Sequence, residues 1–121
     1  MQTLILYGIS NCNTVKKARD WLGSNDIAYV FHDFKKQGLS QQLLERWLGQ
    51  VPHEKLINRA GLTWRGLDDA TKASIIDNAS ASALMQAKSS VIKRPIVEKG
   101  GKILTLGFDE ATYMKLLTSK E

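Results

Sequence analysis

The stretch that decides the fold runs from Thr3 to Leu22 and reads TLILYGISNCNTVKKARDWL. Its first six residues are mostly leucine, isoleucine and tyrosine and end in glycine, which predicts a buried β-strand. From Val15 onward, apolar residues recur at helical spacing, which predicts an amphipathic helix that ends near Gly23. The single cysteine of the chain, Cys12, lies in the polar turn between these two elements.

A cysteine at the start of a helix is favoured in its thiolate form. Unpaired backbone N–H groups and the positive end of the helix dipole meet there, and both stabilise a negative charge. An ordinary cysteine, with a pKa of about 8.5, is only a few per cent thiolate at pH 7, whereas a pKa of about 6 makes it mostly thiolate. A lone cysteine is more often buried and inert. The polar strand-to-helix turn favours a nucleophile at Cys12.

The middle of the chain, residues 38–90, shows helical patterns and no strand signal. Ser40 is predicted to cap the first helix of this zone and Ser80 the fourth, because serine side chains accept hydrogen bonds from the first helical turn. Two shorter helices are predicted between them, one beginning near Pro52 and one near Leu67.

Strands are predicted on both sides of this helical zone. Residues 27–34 alternate apolar side chains and predict a second strand, which is parallel to the first because a helix connects the two. Pro95–Glu98 and Ile103–Leu106 predict a hairpin around Gly100-Gly101, and Asp109 is predicted to cap a closing helix. The order is βαβ, a helical insert, then ββα, which predicts an α/β protein.

The length, composition and charge of the chain limit the classes of protein to which it can belong. The 121 residues suffice for one domain, and no apolar run approaches the roughly 20 residues that span a bilayer. With no basic signal-peptide start and one cysteine, we expect a reduced, cytoplasmic protein without a membrane partner. The net charge of +5 suits an anionic ligand, but the basic residues are scattered and no direct nucleic-acid binding is expected. His32 and His53 are not spaced as ligands with Cys12, so no metal site is predicted.

Two motifs together carry a family resemblance. The first is YGISNC at Tyr7–Cys12, and the second is IKRPIV at Ile92–Val97. With the βαβ and ββα halves and the helical insert, the chain resembles the arsenate reductase/Spx family (ArsC-like proteins). The segments NCNTVKKA and GLTWRGLD are most similar to the YffB-like branch of that family.

The resemblance implies a fold and an activity. It implies a thioredoxin-like fold in one ArsC-like domain over residues 1–121, with thioredoxin-like parts at about 1–37 and 91–121 and an all-helical insert at about 38–90. In ArsC enzymes a cysteine attacks arsenate and arginines hold the oxyanion. Glutathione and glutaredoxin then release arsenite and regenerate the thiol.

The family pattern also implies roles for four residues. Cys12 matches the nucleophile, Arg94 matches the arginine before the proline, and Arg59 lies near a second family arginine, so both arginines are expected to bind substrate. Pro95 matches the proline that in thioredoxin-like folds is usually cis and faces the reactive cysteine. On spacing alone, Arg94 fits a surface arginine beside Lys93 equally well.

Two departures from the family pattern redirect the expected function. A third arginine of true arsenate reductases should follow the second hairpin strand, but Leu106-Gly107-Phe108 holds none, so arsenate reduction is expected to be weak or absent. Spx regulators carry a second cysteine where this chain has Val15, so no disulfide switch can form within the chain.

The residues therefore predict a glutathione-dependent thiol reductase with one cysteine. No second cysteine can resolve a mixed species on Cys12, so resolution comes from glutathione or a glutaredoxin, with no bound cofactor. The expected substrate is a small anion or a disulfide, because an arginine fork suits carboxylates and oxyanions. The alternative is an Spx-like regulator that binds RNA polymerase without catalysis; the shared scaffold and positive charge support it, and Val15 opposes it.

Overall fold

The computed structural model describes residues 3–118, which divide into two compact units. The first unit combines the chain up to Gln37 with the chain from Arg94 onward. The second unit is Gly38–Lys93. Of the helices in residues 3–118, none has the length and apolar character that crossing a membrane requires.

The first unit is built on a four-stranded mixed sheet. Its strands are β1 (Leu4–Gly8), β2 (Val30–Asp33), β3 (Ile96–Lys99) and β4 (Lys102–Leu106), in the order β2-β1-β3-β4. β1 and β2 are parallel, whereas β3 is antiparallel to both β1 and β4. The predicted parallel βαβ unit and the predicted hairpin are therefore confirmed. Gly100 and Gly101 form the hairpin turn, with φ angles of 61° and 80° that favour glycine.

Two strands are shorter than the sequence pattern suggested. β2 begins at Val30 rather than near Ile27, because the Ile27 N–H donates to the Leu22 carbonyl (2.9 Å) and so completes the exit from the preceding helix. β3 begins at Ile96 rather than Pro95, because proline has no N–H to donate to a strand ladder.

Helices follow the strands of the first unit and make up most of the second. In chain order, the helices within residues 3–118 are α1 (Asn13–Ser24), α2 (Phe34–Gln37), α3 (Gln41–Leu48), α4 (His53–Leu56), α5 (Leu62–Arg65), α6 (Asp69–Ala73), α7 (Asn78–Ala87) and α8 (Glu110–Leu117). A 3₁₀ turn at Ser89–Val91 follows α7.

The core of the first unit joins β1 and β3 to α1 and α8. Its buried members are Leu4, Leu6, Val15, Ala18, Trp21, Leu22, Val97 and Tyr113. Trp21 meets Tyr113 edge-on, with ring centroids 5.6 Å apart. Burial raises the pKa of Tyr113 to about 12, although a hydrogen bond with Thr105 lowers it in part, so the hydroxyl stays protonated and donates to the Gly107 carbonyl (2.9 Å). This core fixes α1, and with it Cys12, against the sheet.

The first turn of α1 packs very closely on β1. A Cβ atom built on Gly8 would lie 2.8 Å from Cγ2 of Val15, closer than carbon atoms pack in proteins. Val15 is itself fully buried. Glycine at position 8 therefore lets the helix start directly above the strand end.

The helical unit has its own buried core and caps. Trp47 is completely buried, and Ser40 caps α3 by accepting from the Leu43 N–H (3.0 Å), as predicted. The prediction that Ser80 caps the fourth helix is wrong: Asp77 is the N-cap of α7 and accepts from the Ser80 N–H (2.9 Å). The Ser80 hydroxyl in turn accepts from the Asp77 N–H (3.1 Å), so the two residues form a reciprocal capping box.

The last residues of the helical unit are held beside its short helix α4. The Lys93 N–H donates to the Leu56 carbonyl (2.8 Å), and the Asn58 N–H donates to the Val91 carbonyl (2.8 Å). Ile57 and Ile92 pair as an isolated antiparallel bridge. The segment that precedes Arg94 is thus fixed by backbone hydrogen bonds.

Gly8→Ala should destabilise the protein by about 1–3 kcal/mol, because the new methyl group must displace Val15 or the strand. Gly23→Ala is the matched control: nothing lies within 4 Å of a Cβ there, and alanine in a helix should stabilise by about 0.5–1 kcal/mol. Urea denaturation of both variants measures the two changes. Equal stability of Gly8→Ala and the parent would contradict the close packing.

Candidate active site

The turn between β1 and α1 places Cys12 at the N-cap of α1. Cys12 has an extended backbone, with φ −147° and ψ 122°, and its carbonyl accepts from the Lys16 N–H (3.0 Å), the first hydrogen bond of the helix. The helix begins at Asn13, two residues before the apolar periodicity begins at Val15. Cys12 as a residue is partly exposed, and it also packs against the core of the first unit.

Opposing influences set the pKa of the Cys12 thiol. Partial burial raises this pKa, because it disfavours the charged thiolate. The backbone N–H of Val15, the hydrogen bond and positive charge of Arg94, and the backbone N–H of Thr14 all stabilise the thiolate. Together these donors outweigh burial and hold the pKa below the usual value for a cysteine. The thiolate therefore persists to a lower pH than in an unstructured peptide.

Arg94 reaches Cys12 from the far end of the sequence. It is half-buried and lies two residues before the start of β3, and its guanidinium group acts on the Cys12 sulfur by both hydrogen bonding and charge. The peptide bond between Arg94 and Pro95 is cis, and Pro95 is buried. The Gly107 N–H donates to the Pro95 carbonyl (2.7 Å). The structure thus brings Arg94 to the cysteine and fixes its neighbour Pro95 between β3 and the end of β4.

The segment after β4 forms a buried turn. Gly107 is buried with a φ angle of 81°, and its carbonyl accepts from the Tyr113 hydroxyl. Phe108 packs edge-on against Tyr113, with ring centroids 4.8 Å apart. This turn, where a third family arginine was expected, presents apolar side chains and backbone.

Arg59 belongs to the helical unit and is exposed. Its guanidinium group lies 4.9 Å from the centre of the Trp64 ring, a cation–π arrangement with a buried tryptophan. That contact orients the arginine side chain. A role for Arg59 in substrate binding remains a prediction.

Asp33 is a functional candidate that the sequence interpretation missed. It is the last residue of β2 and only 6% exposed. Its Oδ2 accepts from the Ser10 N–H (3.3 Å), and its Oδ1 accepts from the N–H groups of Lys35 (3.0 Å) and Lys36 (3.3 Å). An aspartate directly before a short helical stretch is a recognisable N-cap signal, but its contact with Ser10 has no local signal.

The Asp33 carboxylate is charged in the folded protein. Burial raises its pKa, but hydrogen bonds from Ser10, Lys35 and Lys36 outweigh burial and hold the pKa below the usual range. The folded pKa thus lies below the unfolded value of about 4. The resulting stabilisation is complete above the unfolded pKa and is lost as the pH falls through the folded pKa.

No metal centre is seen among residues 3–118, because no three His, Cys, Asp or Glu side chains are placed to hold an ion. His32 packs instead against the Tyr7 ring, with centroids 4.9 Å apart. The Tyr7 hydroxyl donates to the fully buried Glu98 carboxylate (3.0 Å). Tyr7 and Glu98 are buried within the first unit, and His32 is half-buried.

Arg94→Gln should raise the pKa of the Cys12 thiol, because it removes a charged hydrogen bond from the thiolate. Hydrogen bonds to charged groups are typically worth about 1.5–3 kcal/mol, so the loss of this one should be visible in the reaction rate. Below pH 7 we therefore expect iodoacetamide to alkylate Cys12 about threefold to tenfold more slowly. Arg94→Lys should be intermediate, since it keeps the charge but loses the planar fork.

Lys17→Gln provides the matched control, because it removes one positive charge from the exposed face of α1 without removing a group that acts on the Cys12 thiol. Its rate profile across pH should match that of the parent. An Arg94→Gln profile that also matches the parent would contradict the assigned contact.

Comparison with known proteins gives consistent matches over nearly the whole chain. The model of the ArsC family matches residues 7–116. An uncharacterized protein of Haemophilus influenzae is 38% identical over 110 residues, which cover 91% of this chain and 95% of that protein.

Solved structures match at similar coverage. The structure of a protein named YFFB is 44% identical, with a TM-score of 0.87, over 95% of this chain and 99% of the other. The solution structure of an arsenate reductase (ArsC) related protein from Brucella melitensis is 45% identical, with a TM-score of 0.78, over 97% of this chain and 96% of the other.

Proposed function

Because this chain belongs to the ArsC family, we propose that it is a glutathione-dependent thiol reductase with Cys12 as its single nucleophile. The observation that carries the proposal is the convergence of Arg94 and the N–H groups of Val15 and Thr14 on the sulfur of Cys12, a partly exposed residue. The thioredoxin-like α/β fold, which the chain shares with its relatives, supplies the strand-to-helix turn that creates this convergence.

The reaction takes place in two thiol–disulfide exchanges. In the first, the Cys12 thiolate attacks the glutathione sulfur of a substrate–glutathione disulfide; the old S–S bond breaks, a Cys12–glutathione bond forms, and the substrate leaves as a thiolate that takes a proton from water. In the second, the thiolate of another glutathione attacks the bound glutathione sulfur, which releases glutathione disulfide and restores the Cys12 thiolate. The substrate sulfur is reduced and two glutathione sulfurs end as a disulfide.

Arg94 contributes to both exchanges. Its guanidinium group stabilises the attacking thiolate in the first step and the same thiolate as leaving group in the second, where a low thiol pKa speeds departure. The planar fork also suits a carboxylate of glutathione or a small oxyanion substrate. From the family pattern we also propose Arg59 as a second anion-binding group; its exposed guanidinium lies against the Trp64 ring.

The resolving thiol comes from outside the chain. Val15 occupies the position where a second cysteine would close a disulfide with Cys12, and this valine is buried against Gly8. A glutaredoxin thiolate can take the place of free glutathione in the second exchange. Both resolving agents require a reducing compartment, and on that ground we place the protein in the cytoplasm.

Arsenate is expected to be a poor substrate. A tetrahedral oxyanion needs several cationic groups, and the turn after β4 offers Gly107 and Phe108 where a further arginine was expected. The reductase activity proposed here concerns sulfur substrates.

Glutathione disulfide should form an adduct on the protein at pH below 7, because a thiol of lowered pKa remains reactive there. Intact-mass analysis should show one glutathionyl group, and reduced glutathione should remove it. Since Cys12 is the single cysteine, Cys12→Ser must show no adduct. The proposal fails if the parent forms no adduct at any pH between about 5 and 9.

Turnover of the mixed disulfide of glutathione and 2-mercaptoethanol should disappear in Cys12→Ser, and activity that survives this change would contradict the proposal.

Arg59→Gln should raise KM severalfold with little change in kcat, as expected for a group that binds substrate equally before and during the reaction. Arg65→Gln, which alters another exposed arginine of the same unit, is the control. If the two arginine variants have equal KM values, Arg59 does not bind the substrate.

A further inference from the structure

The turn that carries Cys12 has a specific anchor outside α1. Ser10 and Asn11 are exposed, so little side-chain packing holds this part of the turn. The Ser10 N–H donates to Asp33 Oδ2 (3.3 Å), and the Ser10 hydroxyl also hydrogen-bonds to that carboxylate. Asp33 thus connects the turn to the neighbouring strand.

Asp33 is well placed to act as an anchor. It pairs in register with Gly8, the last residue of β1, so it lies beside the start of the turn. Its side chain is buried, and both carboxylate oxygens accept hydrogen bonds: one from Ser10, the other from the first N–H groups of α2. A buried carboxylate held from two sides is rigid, because loss of either set of donors leaves a desolvated charge.

Asp33 acts on Cys12 through geometry. The thiol pKa is shifted by partial burial and by three residues, Val15, Arg94 and Thr14. Asp33 is not among these causes. Ser10 lies two residues before Cys12, so a shift of the turn moves the sulfur relative to Arg94 and the helix N–H groups. Hydrogen bonds of this kind weaken steeply with distance and angle.

We propose that Asp33 is a positioning residue for Cys12: its buried carboxylate holds Ser10, and through Ser10 it holds the turn that aims the sulfur at Arg94 and the start of α1. This inference rests on the proposed function, because it concerns the same nucleophile. It assigns Asp33 a role at the reactive site although Asp33 is not among the groups that act directly on the thiol.

Asp33→Asn separates the two tasks of the carboxylate. The amide oxygen can still accept from Lys35 and Lys36, and asparagine is a good N-cap, so α2 keeps its cap. The amide nitrogen is a donor and cannot accept from the Ser10 N–H, so the backbone hydrogen bond that anchors the turn is lost. Asp109→Asn is the matched control, because Asp109 caps α8 through Thr112 in the same unit.

The measurement is the iodoacetamide alkylation rate of Cys12 across pH in the free, full-length protein, with circular dichroism to verify folding. We expect the Asp33→Asn profile to move toward that of an ordinary cysteine, with the rate at about pH 6 lowered severalfold. The Asp109→Asn profile should match the parent. A change in stability alone would not move this profile, so a folded Asp33→Asn protein with the parent profile overturns the proposal.

Two further outcomes are decisive. Asp33→Ser keeps a hydroxyl that can accept from the N–H groups of Lys35 and Lys36 but is too short to accept from Ser10 as well, so it should change the profile in the same direction as Asp33→Asn. If Asp33→Asn does not fold, an unchanged Asp33→Ser profile overturns the proposal. The assay needs no substrate or glutathione. If the parent protein reacts across pH like an ordinary cysteine, the proposed function is overturned as well. If the parent profile shows a lowered thiol pKa and both variants leave it unchanged, only the role of Asp33 is overturned.

Discussion

Val15 packs against Gly8 with no room for a side chain on the glycine, and the geometry of the cysteine depends on this contact. It brings the first turn of α1 directly over the end of β1. The same turn supplies the N–H groups of Thr14 and Val15 that act on the Cys12 sulfur. Packing and chemistry are therefore coupled through one residue, because Val15 contributes its side chain to the core and its backbone to the thiolate.

The reactivity of Cys12 depends on opposing effects on its thiol pKa, and other residues of the first unit determine which effect is larger. Partial burial disfavours the thiolate, and exposure alone would leave an ordinary thiol. Arg94 shifts the balance, and it reaches the cysteine because β3 runs antiparallel beside β1. The Gly107–Pro95 hydrogen bond and the core tyrosine Tyr113 hold this end of β3 in place. The sheet thus joins two sequence segments, neither of which forms a site alone.

Features with local causes were predictable from residue type and spacing, whereas the distant pair of Cys12 and Arg94 was expected only from the family resemblance. The hairpin at Gly100-Gly101 and the turn at Cys12 have short-range signals in residue type and spacing. The cap at Ser80 was misassigned because Asp77 and Ser80 bond each other reciprocally, and the pattern alone does not say which is the cap. The polar contacts of Asp33 with Ser10 and of Glu98 with Tyr7 join residues 23 and 91 positions apart, so only the folded sheet reveals them.

Gly107 restricts which side chains the turn after β4 can carry. Its φ angle of 81° strains any residue with a side chain, and both its N–H and its carbonyl are already bonded within the fold. An arginine introduced there would have to break the turn that supports Pro95. For protein engineering, an added cation in this unit is therefore better placed on another element than at position 107.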